Sequence, residues 1–185
     1  MLTDHNIIEL LGLEKEKENL EFQIFLKQVK DNITPLLSEI YRIVREEMDC
    51  TSCASCCKKL RVSLSHYDVE RLASGLGMEV VALKEQYLTT DLRGNYTFIG
   101  GACPFLKDNK CSCYDHRPEE CVSYPHLDNI NYIYKLKTVL VDCSLCPIVY
   151  NVFESLKEIL DFRKSFRPVE KENAGLVELN NIRYL

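Results

Sequence analysis

The longest hydrophobic pattern lies in the first quarter of the chain. Between residues 14 and about 48, apolar side chains recur at intervals of three and four residues, which predicts an amphipathic helix. Pro35 interrupts this run, and Thr34 before it can act as an N-cap, so the pattern predicts either two helices or one kinked helix. The apolar positions are Phe22, Phe25, Val29, Ile33, Leu36, Leu37, Ile40, Val44 and Met48.

Shorter elements are predicted next. Residues 60–64 alternate between apolar and polar side chains, which is typical of a short, half-buried strand. Ser65 is followed three residues later by Asp68, the spacing of a capping box. We therefore expect a helix to begin there and to end at Gly75 and Gly77.

The second half of the chain alternates between strand, turn and helix patterns. Another short helix is predicted near residues 79–88 and a strand at residues 95–99. The segments CPFL and CSCY flank the turn-like residues 107–110, KDNK, which predicts a metal-bearing hairpin. Residues 132–141, YIYKLKTVLV, are interpreted as a further strand, and the apolar spacing becomes helical again after Cys146.

These elements indicate an α+β fold, a small metal-centred domain of short strands and loops with flanking helices. A chain of 185 residues is the size of one domain. Within it we distinguish an N-terminal helical segment (1–49), a cysteine-cluster metal-binding region (50–147), and a C-terminal helix and tail (148–185). We expect most of the middle region to lack a conventional hydrophobic core, and the tail from about Pro168 to be loosely ordered.

Charge and the start of the chain exclude several classes of partner. The 23 Lys and Arg against 28 Asp and Glu give a net charge of -5, which opposes binding to nucleic acid or to an anionic membrane. The first residues, MLTDHNIIELLG, lack the features of a secretory signal, and no stretch reaches the roughly 18 apolar residues of a spanning helix. We expect a cytoplasmic protein without nucleic-acid or membrane partners; the sequence indicates no particular protein partner.

Ten cysteines then need an explanation, because the cytoplasm keeps thiols reduced and disfavours disulfides. Scattered cysteines often serve as small apolar core residues, but clustered ones favour metal binding. Cys50, Cys53, Cys56 and Cys57 form a CxxCxxCC run. Two intervening residues let both thiolates of a CxxC pair turn toward one ion, so this run predicts a metal site.

The remaining cysteines enlarge the candidate set. Cys143 and Cys146 form a second CxxC pair, and two such pairs supply the ligands of a tetrahedral zinc site or of a cubane iron–sulfur cluster. Cys56 and Cys57 are neighbours whose side chains point in different directions, so we expect them to serve different sites. The candidate metal ligands are Cys50, Cys53, Cys56, Cys57, Cys103, Cys111, Cys121, Cys143 and Cys146.

Residues 50 to 147 resemble the YkgJ-like CxxCxxCC cysteine-cluster family. The resemblance implies a domain that chelates zinc or iron and leaves the metal open. Cys113 departs from it, standing where the family usually has an apolar residue, and Tyr124 stands where phenylalanine is common. The matching residues are Cys50 to Cys57, Asp68, Arg71, Leu72, Cys103 to Leu106, Cys111, Tyr114, Arg117, Pro118, Cys121, Tyr124 and Pro125.

Several residues near the cysteines could assist a metal. Four thiolates around a divalent ion carry an excess of about two negative charges, and Arg117 is the best placed cation to offset them. Cys113, His116 and His126 remain open as further ligands, since thiolate and imidazole both bind zinc. His5 and His66 lie away from the cysteines in the sequence, and we expect no chemical role for them.

Two other functions are compatible with the cysteines. A thiol redox protein could use the CxxC pairs Cys53 and Cys56 or Cys143 and Cys146. The resemblance also extends to the cysteine-cluster part of flagellin lysine methylases, which would imply an accessory or catalytic role. No GxGxxG or Walker pattern occurs in the chain. We assign no catalytic residue and no organic cofactor, and expect a metal-binding protein rather than an enzyme.

Overall fold

The computed structural model describes residues 1–29, 33–128 and 136–165. Its helices are, in chain order, α1 (His5–Glu14), α2 (Glu16–Gln28), α3 (Thr34–Glu46), α4 (Cys50–Cys53), α5 (Ser55–Lys59), α6 (His66–Leu76), α7 (Val80–Tyr87), α8 (Glu119–Ser123), α9 (Leu136–Leu145), α10 (Pro147–Ile159) and α11 (Phe162–Ser165). A 3₁₀ turn spans Tyr114–His116. The strands are β1 (Ser63–Leu64), β2 (Leu88–Thr90), β3 (Tyr96–Phe98), β4 (Leu106–Lys107) and β5 (Lys110–Cys111).

The strands form two small antiparallel sheets. One has the order β1-β3-β2, and the other is the hairpin β4-β5, in which Leu106 pairs with Cys111. Asp108 and Asn109 form its turn with φ values of 48° and 61°, as the two-residue turns of hairpins require. The α+β fold and the predicted hairpin at residues 107–110 are confirmed.

The flanking helices form the first of two hydrophobic cores, called here the helical core. Phe22 of α2 lies at its centre, with the Phe153 ring 5.8 Å and the Phe162 ring 5.0 Å away between centroids. The helices predicted from the apolar periodicity of residues 14 to 48 and of the segment after Cys146 are therefore confirmed, and they pack together in this core. The buried members are Phe22, Leu26, Ile33, Leu37, Ile40, Val44, Leu127, Cys143, Cys146, Ile148, Val149, Val152, Phe153, Leu156 and Phe162.

A second core lies within the middle region, which corrects the expectation that most of this region lacks one. We call it the middle core. Helices α6 and α7 cover the three-stranded sheet, so apolar residues that are far apart in sequence meet there. No local periodicity marks such a cluster. Its buried members are Leu64, Val69, Leu72, Ala73, Leu83, Leu88, Phe98, Phe105 and Cys113.

Several predicted boundaries are confirmed and others are wrong. The chain forms two helices around Pro35 rather than one kinked helix, but Ile33, not Thr34, occupies the N-cap position of α3. The Ser65 capping box is present, and α6 ends at Gly77 (φ 64°), so Gly75 lies inside the helix instead of ending it. Helix α1, capped by the Asp4 side chain, was not predicted.

The strand predicted at residues 132–141 is wrong where it can be compared. Residues 136–145 form helix α9, while residues 132–135 lie outside the described ranges. A short apolar run does not distinguish a strand from a buried helix, and here the contacts of α9 with α1 and α10 favour the helix. The tail from about Pro168 also lies outside the described residues.

A buried ionic network joins the N-terminal helices to α10. The Lys157 ammonium is fully buried and donates hydrogen bonds to Asn19 (2.5 Å), Glu154 (2.7 Å) and Glu18 (2.8 Å). Arg163 bonds both carboxylates from the exposed side, at 2.8 and 2.9 Å. Lys15 is a third cationic partner of Glu154, at 2.5 Å. The two carboxylates therefore compensate the charge of Lys157 inside the helical layer.

Across the three described ranges, none of the helices combines the length and the apolar character needed to cross a membrane.

Candidate metal centre

Most of the cysteines lie around one cavity between the two cores. This cavity, called the main cavity, has a volume of about 570 Å³. Leu72, Phe98 and Phe105 of the middle core line it, as does Ile148 of the helical core. Its cysteines are Cys50, Cys56, Cys57, Cys103, Cys111, Cys113 and Cys121.

Backbone contacts bring these cysteines together from distant parts of the chain. The Cys103 amide donates a hydrogen bond to the Cys57 carbonyl (2.9 Å), which ties the loop before β4 to helix α5. The Asp68 carboxylate accepts from the Glu119 amide (2.9 Å), and this contact fixes the start of α8, which carries Cys121. The capping residue Asp68 therefore also positions a candidate ligand.

Four of the thiols form a mutually interacting tetrad, Cys57, Cys103, Cys111 and Cys121. Every pair among them interacts electrostatically, because negative charge on one sulfur disfavours charge on the others. Burial, followed by these neighbours, raises the pKa of Cys103 to about 11 and that of Cys121 to about 12. A nearby cation would relieve this repulsion, as a thiolate-bound metal does.

Hydrogen bonds between neighbouring thiols lower the pKa of the other two members. The Cys56 and Cys57 thiols share a hydrogen bond, which lowers the pKa of Cys57 to about 7 and raises that of Cys56. The Sγ atoms of Cys111 and Cys113 lie 3.7 Å apart, and this contact lowers the pKa of Cys111 to about 6 while it raises that of Cys113. Cys113 is therefore a neighbour of the tetrad and a buried member of the middle core.

A second cavity of about 380 Å³ lies on the other side of the CxxCxxCC run. Cys53 and Cys146 line this cavity and not the main one, whereas Cys50 and Cys56 line both. His5 also lines the second cavity, although its position in the sequence gave no sign of a role. Helix α1 brings it there, and that helix was not predicted.

A left-handed residue separates the two parts of the CxxCxxCC run. Ala54 has a φ of 53° and is buried, so α4 ends before it and α5 begins after it. This conformation costs a non-glycine residue about 1–2 kcal/mol. It lets Cys53 and Cys57, four residues apart, line different cavities.

The remaining predicted residues differ in position. Cys143 is fully buried in the helical core and lines neither cavity, although it lies near Cys146 of the same CxxC pair. His126 lines the main cavity, whereas His116 packs against Gly75, where an added Cβ would lie 2.3 Å from the His116 Cγ.

Arg117 lies at the edge of the main cavity, as its proposed role in charge compensation requires. Its guanidinium stacks on the Tyr114 ring at 3.5 Å and donates to the Tyr114 carbonyl (2.8 Å). Arg71 donates to the Arg117 carbonyl and so holds the segment in place. Burial raises the pKa of four nearby thiols, and the positive charge of Arg117 acts in the opposite direction on each of them. These thiols are Cys50, Cys57, Cys111 and Cys121.

The donor set fits a soft or borderline metal, since thiolates bind zinc and iron–sulfur clusters. All ten cysteines are free thiols. Within the part of the chain that the structure describes, no three Cys, His, Asp or Glu side chains converge as the ligands of one ion would. Metal binding would therefore require the thiols around the cavity to move closer together.

The comparisons with known proteins agree with this chemistry. A family model covering residues 49–147 matches, the CxxCxxCC family, described as "putative zinc- or iron-chelating domain". No curated protein and no solved structure matches the chain. The matched range contains every cysteine and more than half of the residues. The chain belongs to the CxxCxxCC family of metal-chelating domains.

Proposed function

We propose that the protein binds zinc or an iron–sulfur cluster at the main cavity through Cys57, Cys103, Cys111 and Cys121, in the reducing environment of the cytoplasm. The observation that carries this proposal is the tetrad itself, in which every pair of thiols interacts across one cavity. Four thiolates complete a tetrahedral zinc site or hold a cubane cluster.

The surroundings support a bound cation. Thiols that are buried together have raised pKa values because their negative charges are poorly solvated and repel one another. A divalent ion or a cluster removes this penalty, while Arg117 offsets the excess charge that four thiolates leave. The free state of all ten cysteines supports a centre that assembles where disulfides do not form.

The experiment is anaerobic purification followed by metal and sulfide analysis. A zinc centre gives a colourless protein with zinc and no acid-labile sulfide, and a cluster gives a brown protein with iron and sulfide. A Cys57→Ser, Cys121→Ser variant should lose this metal, whereas Cys143→Ala, which changes a cysteine outside both cavities, should keep it. Folded wild-type protein that binds neither metal would overturn the proposal.

A second candidate function is thiol redox chemistry, which the contact between Cys111 and Cys113 favours. Their Sγ atoms are 3.7 Å apart, so a small movement would bring them to the roughly 2.05 Å of a disulfide bond. Thiol titration before and after strong chelation separates the two functions. Ligated thiolates react only after the metal leaves, whereas a redox pair reacts from the start.

A further inference from the structure

We infer that the cysteines form two separate metal centres, the tetrad at the main cavity and a second set at the second cavity. The second set is Cys50, Cys53, Cys56 and Cys146. This inference rests on the proposed function, because it divides the same family of thiols between two ions or clusters.

The cavity linings provide the first argument. Cys57, Cys103, Cys111 and Cys121 line only the main cavity, while Cys53 and Cys146 line only the second. Four thiolates complete either type of centre, so the tetrad leaves no need for a ligand from the second cavity. The thiols of the second set are then available to bind an ion of their own.

The fold brings Cys146 from the distant junction of α9 and α10 to the wall of the second cavity, where Cys50, Cys53 and Cys56 also lie. Cys50 and Cys53 are the first and last residues of the short helix α4. Cys56 lines the main cavity as well, next to Cys57. Cys146 therefore joins the CxxCxxC part of the run at the second cavity, as a fourth ligand would.

Ala54 explains how adjacent cysteines can serve different centres. It is the left-handed residue between α4 and α5, and it lines both cavities. The turn at Ala54 places Cys53 at one cavity and Cys57 at the other, with Cys56 on the wall between them. The non-equivalence of Cys56 and Cys57 follows from this geometry.

The test is metal stoichiometry in two matched double variants. Wild-type protein reconstituted with zinc under reducing conditions should bind two equivalents. Cys53→Ser, Cys146→Ser and Cys103→Ser, Cys121→Ser should each bind one, with helical circular dichroism retained. One equivalent at saturation of the wild type, or loss of all metal in either folded variant, would overturn the two-centre inference. No metal in the wild type would instead overturn the proposed function.

A measurement on the wild type decides the question if a variant does not fold. During gradual chelation of the zinc protein, brief alkylation and mass spectrometry report when Cys53 and Cys121 become reactive. Two centres release these thiols in two separate steps, each with one equivalent of zinc. A single centre exposes both in the same step, which would contradict the inference.

Discussion

Replacing Arg117 tests whether charge compensation matters at the main cavity. The guanidinium lies beside the tetrad, and its charge acts on Cys57, Cys111 and Cys121. A divalent zinc ion with four thiolates carries a net charge of about -2. Arg117→Gln removes a cation whose charge acts on three of these four thiols, so metal binding should weaken.

The size of the effect follows from simple electrostatics. At an effective dielectric constant of about 20, a unit charge about 10 Å from a net charge of -2 contributes about 3 kcal/mol, and exposure to water reduces this value. Arg117 is half-buried, so part of that interaction remains. We expect the metal dissociation constant to rise by about 10- to 100-fold, which corresponds to about 1.4–2.7 kcal/mol.

The assay is competition between the protein and a chelator of known zinc affinity. Arg117→Lys keeps the charge but loses the planar stacking on Tyr114, so it should recover part of the affinity. Lys110→Gln removes an exposed cation that lines the same cavity and should change affinity by less than about threefold. Raising the salt concentration should narrow the difference between wild type and Arg117→Gln.

Two results would refute this reasoning. If Arg117→Gln binds zinc as tightly as the wild type, the charge does not act on the centre. If Arg117→Lys loses as much affinity as Arg117→Gln, the stacking contact, and not the charge, is what the centre needs. Circular dichroism of the metal-free variants establishes that the comparison is between folded proteins.

Three further predictions concern the scaffold. Lys157→Met should destabilise the protein by about 2–4 kcal/mol in urea unfolding, whereas Arg163→Gln at the exposed edge of the same network should cost less than about 1 kcal/mol. Burial would raise the pKa of Glu154, but its lysine partners lower it below 4.5. The contribution of this carboxylate to the free energy of unfolding is therefore complete above pH 4.5 and is lost as the pH falls further. The free energy of unfolding should therefore fall less steeply with decreasing pH in Lys157→Met than in the wild type. Equal slopes in the two proteins would contradict a stabilising role of the network. Gly75→Ala should destabilise the protein by about 1–3 kcal/mol and weaken metal binding, because the added Cβ would collide with His116, which is next to Arg117. Ser74→Ala, at an exposed position of the same helix, provides the control.

Local signals account for the parts of the fold that the sequence predicted. The Ser65 capping box and the turn at Asp108 and Asn109 depend on residues within a few positions of one another. Helix α10 follows from a strong period of apolar residues after Pro147. Such features need no knowledge of the rest of the chain.

Contacts between distant residues account for what was missed. The middle core forms because β1 and β3 pair, which brings Leu64 close to Tyr96, and no periodicity connects these positions. Helix α9 has the composition of a strand but packs against α1. Local pattern decides neither outcome, because tertiary contacts override propensity in short apolar segments.

In the candidate site too, local spacing predicted some features, while contacts between distant residues decided others. The CxxCxxCC run identified four of the nine cysteines that line the two cavities, since their spacing is itself the signal. Their distribution depends on Ala54 and on the hydrogen bond from the Cys103 amide to the Cys57 carbonyl, neither of which the spacing predicts. Nor does the spacing predict that Cys143, which fits the CxxC pattern, is buried in the helical core near Cys146 and lines neither cavity.

The position of the main cavity gives a physical reason for a metal in this fold. The elements that carry the candidate ligands are very short: α4 has four residues, α5 and α8 have five each, and β5 has two. Isolated helices of this length are not stable in water, because nucleation costs more than so few hydrogen bonds return. The two cores flank these elements and contribute Phe98 and Ile148 to the cavity wall, but apolar contacts alone hold no thiol in a defined direction. On the proposed function, metal–thiolate bonds supply that directional constraint and tie the middle core to the helical core. A structural zinc site contributes about 10 kcal/mol or more, which is comparable to the entire net stability of a domain and sufficient to order elements that cannot order themselves.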